Sequence, residues 1–379
     1  MQKAYKLHGV HRHYDWGGTE FIPNLMKAQN PDQKPFAEYW MGAHPSAPAQ
    51  IDTPNGVVSI NEFGSIPYLF KVLDVAKMLS IQVHPSVESA IIGYELEDNA
   101  GIDINASNRN YKDKNHKPEV MVALSNFWLL HGFLAPDLLE ARLNEYFYFH
   151  PLVDHFRGVD YQGLYSFFMQ LSNDDADRIL KPLMMDAVAS VARGEVDKSH
   201  PHWWANKYYN GLVPDKGIDK GIFSIYILNI VAVKKYQGVF QGAGLLHAYL
   251  EGQNIELMAN SDNVLRGGLT PKHIDIIELL NHIKFIPTIP NVLMGDPINA
   301  FETNYPCPVA DFGLTKIALN KGESYTIQTK SLEMLLVTEG EIVIDGIVYK
   351  AGEVAMAKAL EHITIQASQA TVVFKSFVP

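Results

Sequence analysis

Residues 321–352 read KGESYTIQTKSLEMLLVTEGEIVIDGIVYKAG. Four turn pairs, Lys321-Gly322, Glu339-Gly340, Asp345-Gly346 and Ala351-Gly352, separate short apolar runs such as MLLV and EIVI, and TVVF follows at 371–374. Closely spaced turns between β-rich runs are the rhythm of an antiparallel barrel or jelly roll. The C-terminal part of the chain is therefore read as β.

Strand-like segments also dominate residues 1–134, for example PYLFKVLDVAKMLSIQV at 67–83. Its end alternates, so Ser80, Gln82 and His84 share one face while Ile81 and Val83 share the other. Beyond Pro85, Ser86 can cap a short helix through Ile91, Ile92 and Leu96 that stops near Gly101. At about residue 135 the character changes. PDLLEARLNEYFYFHPLVDHF reads as helix with Leu138, Leu139 and Leu143 on one side. A second helical pattern follows Ser172, with Leu183, Ala187, Val188 and Val191 at helical spacing, and Pro182 should start a new helix or kink the old one. Strands resume at Ile222 with IFSIYILNIVAV. The expectation is a mainly β chain, two β-barrels with an α-helical insertion over 135–205.

The chain has 379 residues, 47% of them apolar, and carries a net charge of −11. An acidic balance argues against nucleic acid as partner, because phosphate backbones need a broad basic surface. A small phosphorylated ligand needs only a few local cations. Cys307 is the sole cysteine, which excludes a disulfide framework and a thiolate zinc cluster. There is no signal-like N-terminus and no apolar run of about 18 residues, so the expected location is the cytoplasm, with no membrane partner. No GxGxxG or P-loop element supports a nucleotide fold.

Three short stretches hold candidate metal ligands. Gln82 and His84 lie at i and i+2 of a strand. Glu119 ends Asn115-His116-Lys117-Pro118-Glu119, and His247 sits among apolar residues in LLHAYL. Each alone has a bland reading: a wet strand face, a solvated turn, a core histidine. As a set, two nitrogens and two oxygens suit Zn²⁺ with an open position, and equally suit Fe²⁺, Mn²⁺ or Co²⁺.

SIQVHP at 80–85, RNYKDKNHKPE at 109–119 and HAYLEGQNIELMANSDNVLRGGLTPK at 247–272 resemble, in order and spacing, the three signature regions of type I phosphomannose isomerases. Tyr14-Asp15-Trp16-Gly17 and AEYWMGAHPSAP at 37–48 add to the resemblance, which covers essentially the whole chain. One departure is Gly267, where alanine is expected after the arginine. The resemblance implies cupin-type (jelly-roll) barrels. A discontinuous catalytic barrel would comprise 1–134 and 206–283, beside the helical insertion 135–205 and a C-terminal cupin-like domain 284–379. It implies one zinc held by Gln82, His84, Glu119 and His247, and interconversion of mannose 6-phosphate and fructose 6-phosphate through a cis-enediol. It also implies an active-site role for Arg266, whose permanently charged fork can stabilise an enediolate or hold a phosphate.

Further candidates follow from the chemistry. Lys117 and Lys71 lie near ligand positions in the sequence, where a dication would disfavour an ammonium and bring a lysine toward a base's useful range. Glu256, placed on the strand after His247, is either an acid/base or a partner that orients a ligand. Ser80 and Lys272 are candidate phosphate or sugar contacts. His11 with His13, His200 with His202, and the Trp203-Trp204 pair read as packing. A two-histidine, one-carboxylate core also serves Fe²⁺ dioxygenases. Gln82, in place of a further histidine, and the cations suited to a phosphosugar speak against that alternative. A non-catalytic sugar-binding barrel would have no need of Arg266 and Lys117. The expected assembly is a monomer.

Overall fold

The computed structural model describes residues 2–379. Its centre is a 13-residue strand, His247–Ala259, almost wholly buried. The strand's first residues pair with Phe127–Phe133, and His247 faces Gln82 of Ile81–Val83. Its second half pairs with Tyr68–Val75 on one side and Glu119–Ala123 on the other. The pairing register shifts between Tyr249 and Glu251. Gly252 follows at φ +129°, where a Cβ would lie 2.6 Å from the Phe127 ring, so only glycine lets the strand pass there.

Alternation divides this sheet into two faces. Tyr68, Phe70, Val72, Val120, Val122, Ile255 and Leu257 point into a core shared with Leu7, Met334, Leu336, Met356 and Phe374 of a second, nine-stranded sheet. On the opposite face, Trp40, Lys71, Glu256 and Met121 form one cross-strand row. One face thus joins the two β regions, and the other holds buried polar groups.

The nine-stranded sheet packs its far side against a four-stranded sheet through Ile317, Leu335, Val337, Ile342, Ile344, Ile363 and Ile365. The turn glycines expected at 322, 340, 346 and 352 all have φ between +76° and +89°. Asp345 and Gly346 form a two-residue hairpin turn with both φ positive, the geometry that matches strand twist. The first strand, Ala4–His8, belongs to this sheet, between Val354–Ala357 and Gln50–Thr53. The segment 1–134 is therefore shared between the two β regions, because local sequence carries no signal of a pairing partner at the far end of the chain.

The helical block departs from expectation in three places. The helix starting at Pro136 stops at Glu145, Tyr146 is extended, and short turns follow. Leu139 and Leu143 are buried, but Leu138 is exposed. Pro182 lies within one continuous helix, Asn173–Ala192, capped by Ser172, so of the two alternatives it does not start a new helix. Residues Gly221–Ile227 are helix, and only Leu228–Val233 is strand. Every residue of that helix is buried, and an all-round apolar run has no periodicity to separate helix from strand. Trp204 is fully buried against Trp128, consistent with packing. The Ser86-capped helix forms as expected, from Val87 to Asn99, with Gly101 at φ +72°. No helix among the described residues is long and apolar enough to cross a membrane.

Candidate metal centre and cleft

His84, Glu119 and His247 come from three separate strand ends, and each offers a ligand atom within 4.8 Å of the others. His84 Nε2 lies 3.3 Å from one Glu119 oxygen, and His247 Nε2 lies 3.4 Å from the other. All three residues are buried. Each imidazole is oriented from behind: His84 Nδ1 lies 2.9 Å from the Asn263 carbonyl, and His247 Nδ1 lies 2.9 Å from the Leu245 carbonyl. A carbonyl only accepts, so each Nδ1 carries the proton and the neutral ring turns its Nε2 lone pair toward Glu119. Burial pushes His84 down to about 4, against the pull of Glu119, which favours that neutral form.

Two imidazole lone pairs facing a carboxylate repel one another unless a cation lies among them. His84 Nε2 is accordingly a buried atom with no hydrogen-bond partner. Burial would raise the Glu119 carboxyl, but Lys117, 3.4 Å away, and the histidines hold it well below the usual range. The donor set and its geometry therefore fit a divalent metal of the zinc type.

Gln82 stands between His247 and Arg266 in a row across three strands. It lines a cleft of about 740 Å³ that reaches the cluster through Gln82 and Lys117 rather than through the three ligand candidates themselves. Ser80, Lys117, Arg266 and Lys272 line the same cleft, with Lys77, Trp16 and, from the helical block, Lys207, Tyr208 and Asn210. Burial depresses the Arg266 guanidinium, with no carboxylate opposing it. Burial, then the neighbouring Arg266, lowers Lys272. An acidic protein thus presents a cation-lined cleft, which suits a compact anion.

Lys71 and Glu256 do not line the cleft. They pair with each other at 3.1 Å, one layer deeper, where Lys71 also lies 3.9 Å from Glu38 and over the Trp40 ring. The Trp40 indole N–H donates to Glu38, and the Tyr249 hydroxyl donates to Glu256 at 2.8 Å. The protein groups around Lys71, taken without a metal, act opposite to the effect expected of a dication. Burial does favour its neutral form, but Glu38, Glu256 and Glu119 outweigh burial and raise it. Glu256 lies on the same strand as His247, not on the next one. Burial raises its carboxyl despite Lys71. Three buried carboxylates (Glu38, Glu119, Glu256) face two lysines (Lys71, Lys117) here. The shortfall of positive charge is a second reason that a cation fits the cluster.

Some contributors carry no sequence signal. The Asn263 side chain accepts from the Lys112 N–H at 2.7 Å and donates to the Asp113 and Asn115 carbonyls, so it fastens the loop that leads to Lys117. His44 reaches Asp262 at 3.4 Å. Trp16 is the exception, marked by the YDWG run. Of the histidine pairs set aside as packing, His202 bonds the Tyr226 hydroxyl at 2.7 Å, and His11 lies 4.8 Å from the Tyr39 ring.

A family model described as phosphomannose isomerase type I, catalytic domain, matches residues 4–135. The chain is 36% identical to mannose-6-phosphate isomerase of Salmonella typhimurium, over 94% of this chain and 95% of that protein. It is 34% identical to the Escherichia coli enzyme, over 98% and 96%. Among solved structures, mannose 6-phosphate isomerase from Salmonella typhimurium bound to substrate and a zinc atom superimposes with a TM-score of 0.86. That match has 31% identity and covers 100% of both chains. A zinc-bound holo structure of mannose 6-phosphate isomerase gives 0.85 at the same identity and coverage.

Proposed function

Since this chain belongs to the type I phosphomannose isomerases, we propose that it interconverts D-mannose 6-phosphate and D-fructose 6-phosphate through a cis-enediol, with one zinc per chain. The observation that carries the reading is the His84–Glu119–His247 cluster beside a cleft lined by Lys77, Lys117, Lys207, Arg266 and Lys272 against a single carboxylate, Asp15.

In this reading His84, Glu119, His247 and Gln82 hold the metal. When bound, the cation supplies Lewis-acid polarisation of substrate oxygen. Arg266 stabilises the negative charge that develops on the enediol oxygens, since its guanidinium is charged at every working pH and no protein carboxylate claims it. Ser80 and Lys272 anchor the sugar phosphate. Lys117, which lines the cleft, moves the proton between C2 and C1. The Lys71–Glu256 pair sets the charge behind Glu119. The two β regions are read as cupin-type barrels, with 206–283 and most of 1–134 as the catalytic unit, 135–205 as the helical insertion and 284–379, joined by Ala4–His8 and the 50–59 hairpin, as a structural C-terminal domain. The protein acts as a cytoplasmic monomer.

The test is a coupled assay on zinc-loaded protein, with and without chelator. Conversion of mannose 6-phosphate, lost on chelation and restored by zinc, is the expected result. Absence of conversion by loaded protein overturns the function, and full activity in chelator overturns the metal. Arg266→Ala should lower kcat by about 100-fold or more with normal zinc content. Unchanged turnover in that variant removes Arg266 from the mechanism.

A further inference from the structure

We propose that Asp219 is a positioning residue that fixes the loop carrying Arg266 and Lys272 and ties it to the helical wall of the cleft. The inference rests on the proposed roles of those two cations.

Asp219 lies just before the buried helix Gly221–Ile227. Its Oδ1 accepts from the N–H groups of Gly221 at 2.7 Å and Leu269 at 2.8 Å. Its Oδ2 accepts from the Thr270 N–H at 2.9 Å and the Tyr208 hydroxyl at 3.3 Å. Its own N–H donates to the Tyr209 hydroxyl at 2.8 Å. One carboxylate thus joins two segments remote in sequence, and both of them, through Tyr208 and Thr270, line the cleft.

The loop needs such a fastening for two reasons. Leu269 has φ +55°, a left-handed conformation that a leucine holds only when its surroundings impose it. Arg266 and Lys272 also repel each other across the loop, and no carboxylate pairs with either of them. Charge-assisted bonds from backbone N–H groups to an ionised carboxylate are strong and directional. They hold the loop from beneath without occupying the space an anionic ligand would use. Backbone fit points the same way. A Cβ at Gly268 would lie 2.4 Å from the Gly221 Cα, so the two segments touch only because both residues are glycine.

The bland reading is a local cap on a short helix. The Leu269 and Thr270 bonds distinguish the two, since they serve the loop and not the helix. In Asp219→Asn the amide turns an N–H toward backbone N–H groups. KM for mannose 6-phosphate should rise about 10-fold or more, kcat should change less, and zinc content should stay normal. Affinity for inorganic phosphate, measured by calorimetry, should fall in parallel. The phosphate measurement does not need isomerase activity, so it remains decisive even if the proposed reaction is wrong. In a Lys272→Ala background, Asp219→Asn should add little, because its effect passes through the same loop. Unchanged phosphate affinity in the folded variant, or fully additive losses, overturns the proposal. Hydrogen exchange of the wild-type chain gives a check that does not depend on the variant folding. The Leu269 and Thr270 amides should exchange slowly, and fast exchange at both overturns the proposal.

Discussion

Two lysines sit inside β-structure in nearly the same company. Lys71 has Glu256 at 3.1 Å and Glu38 at 3.9 Å, with the Tyr249 hydroxyl on Glu256. Lys375, in the C-terminal β region, has Glu302 at 2.9 Å and Glu333 at 3.8 Å, with the Tyr325 hydroxyl on Glu302. Both lysines are buried. The difference lies in the surroundings. The Thr315 hydroxyl completes the second cluster, and no histidine joins it. The first cluster adds Glu119, with two imidazole lone pairs aimed at it. A buried lysine between two acids is thus not a mark of chemistry by itself, since this chain contains one at the site and one away from it. Each cluster holds one more buried carboxylate than lysine, so the neutral imidazole donors that face the excess are the distinguishing feature.

The largest expected effect tests that distinction through stability. Lys71→Ala and Lys375→Ala each strand buried carboxylates and should cost roughly 3–5 kcal/mol in metal-free protein. Saturating zinc should reduce the cost at Lys71 and leave it unchanged at Lys375. Urea unfolding with and without zinc measures this, and equal relief at both positions would erase the comparison.

Turnover comes next. Glu256→Gln should lower kcat by about 10- to 100-fold through the charge around Glu119, as partners of metal ligands do. Glu302→Gln should leave kcat near wild type. Steady-state assays at a temperature where both variants are folded decide the matter. Equal losses would mean that the C-terminal cluster also supports the site.

The smallest effect is in the pH dependence. Burial raises Glu256 above its ordinary value of 4.5, so its contribution to stability is present below about 4.5 and is lost as pH rises through the raised value. Burial would also raise Glu302, but Lys375, Thr315 and Tyr325 hold it below 4.5. Its contribution is therefore present above about 4.5 and is lost as pH falls through the lowered value. The cost of Glu256→Gln should shrink as pH rises above about 4.5, and that of Glu302→Gln should shrink as pH falls below about 4.5, by roughly 1.4 kcal/mol for each tenfold difference in proton affinity. Parallel slopes in denaturation series at several pH values would refute the opposed assignment.

What can be read in the sequence is local and periodic. Strand alternation places Gln82 and His84 on one face, and the turn glycines at 322–352 mark turns that form, one of them, at Asp345-Gly346, a hairpin and the others crossings between the two sheets. Ser86 and Ser172 announce two helices. The fully buried run from Gly221 reads wrongly as strand because it has no polar face. Glu256 reads as part of a separate strand because the bend at Gly252 looks like an ending. Asp219 is not legible, because its loop partners lie 50 and 51 residues away and become neighbours only on folding. The departure at Gly267 has a physical cause visible only in three dimensions. A Cβ there would lie 3.0 Å from the Tyr165 hydroxyl and 3.2 Å from the Ile81 side chain. An alanine would need Tyr165, a residue of the helical block, to give way.

Ala4–His8 pairs with Val354–Ala357. For a chain synthesised from its N-terminus, Ala4–His8 emerges long before the neighbour it pairs with. Until then one edge of that strand stays open, and the nine-stranded sheet lacks an interior member. A nascent or stalled chain of this protein therefore exposes an unpaired strand edge until Val354–Ala357 has been made. Its demand on chaperones should depend less on the metal centre than on how long its two ends are kept apart.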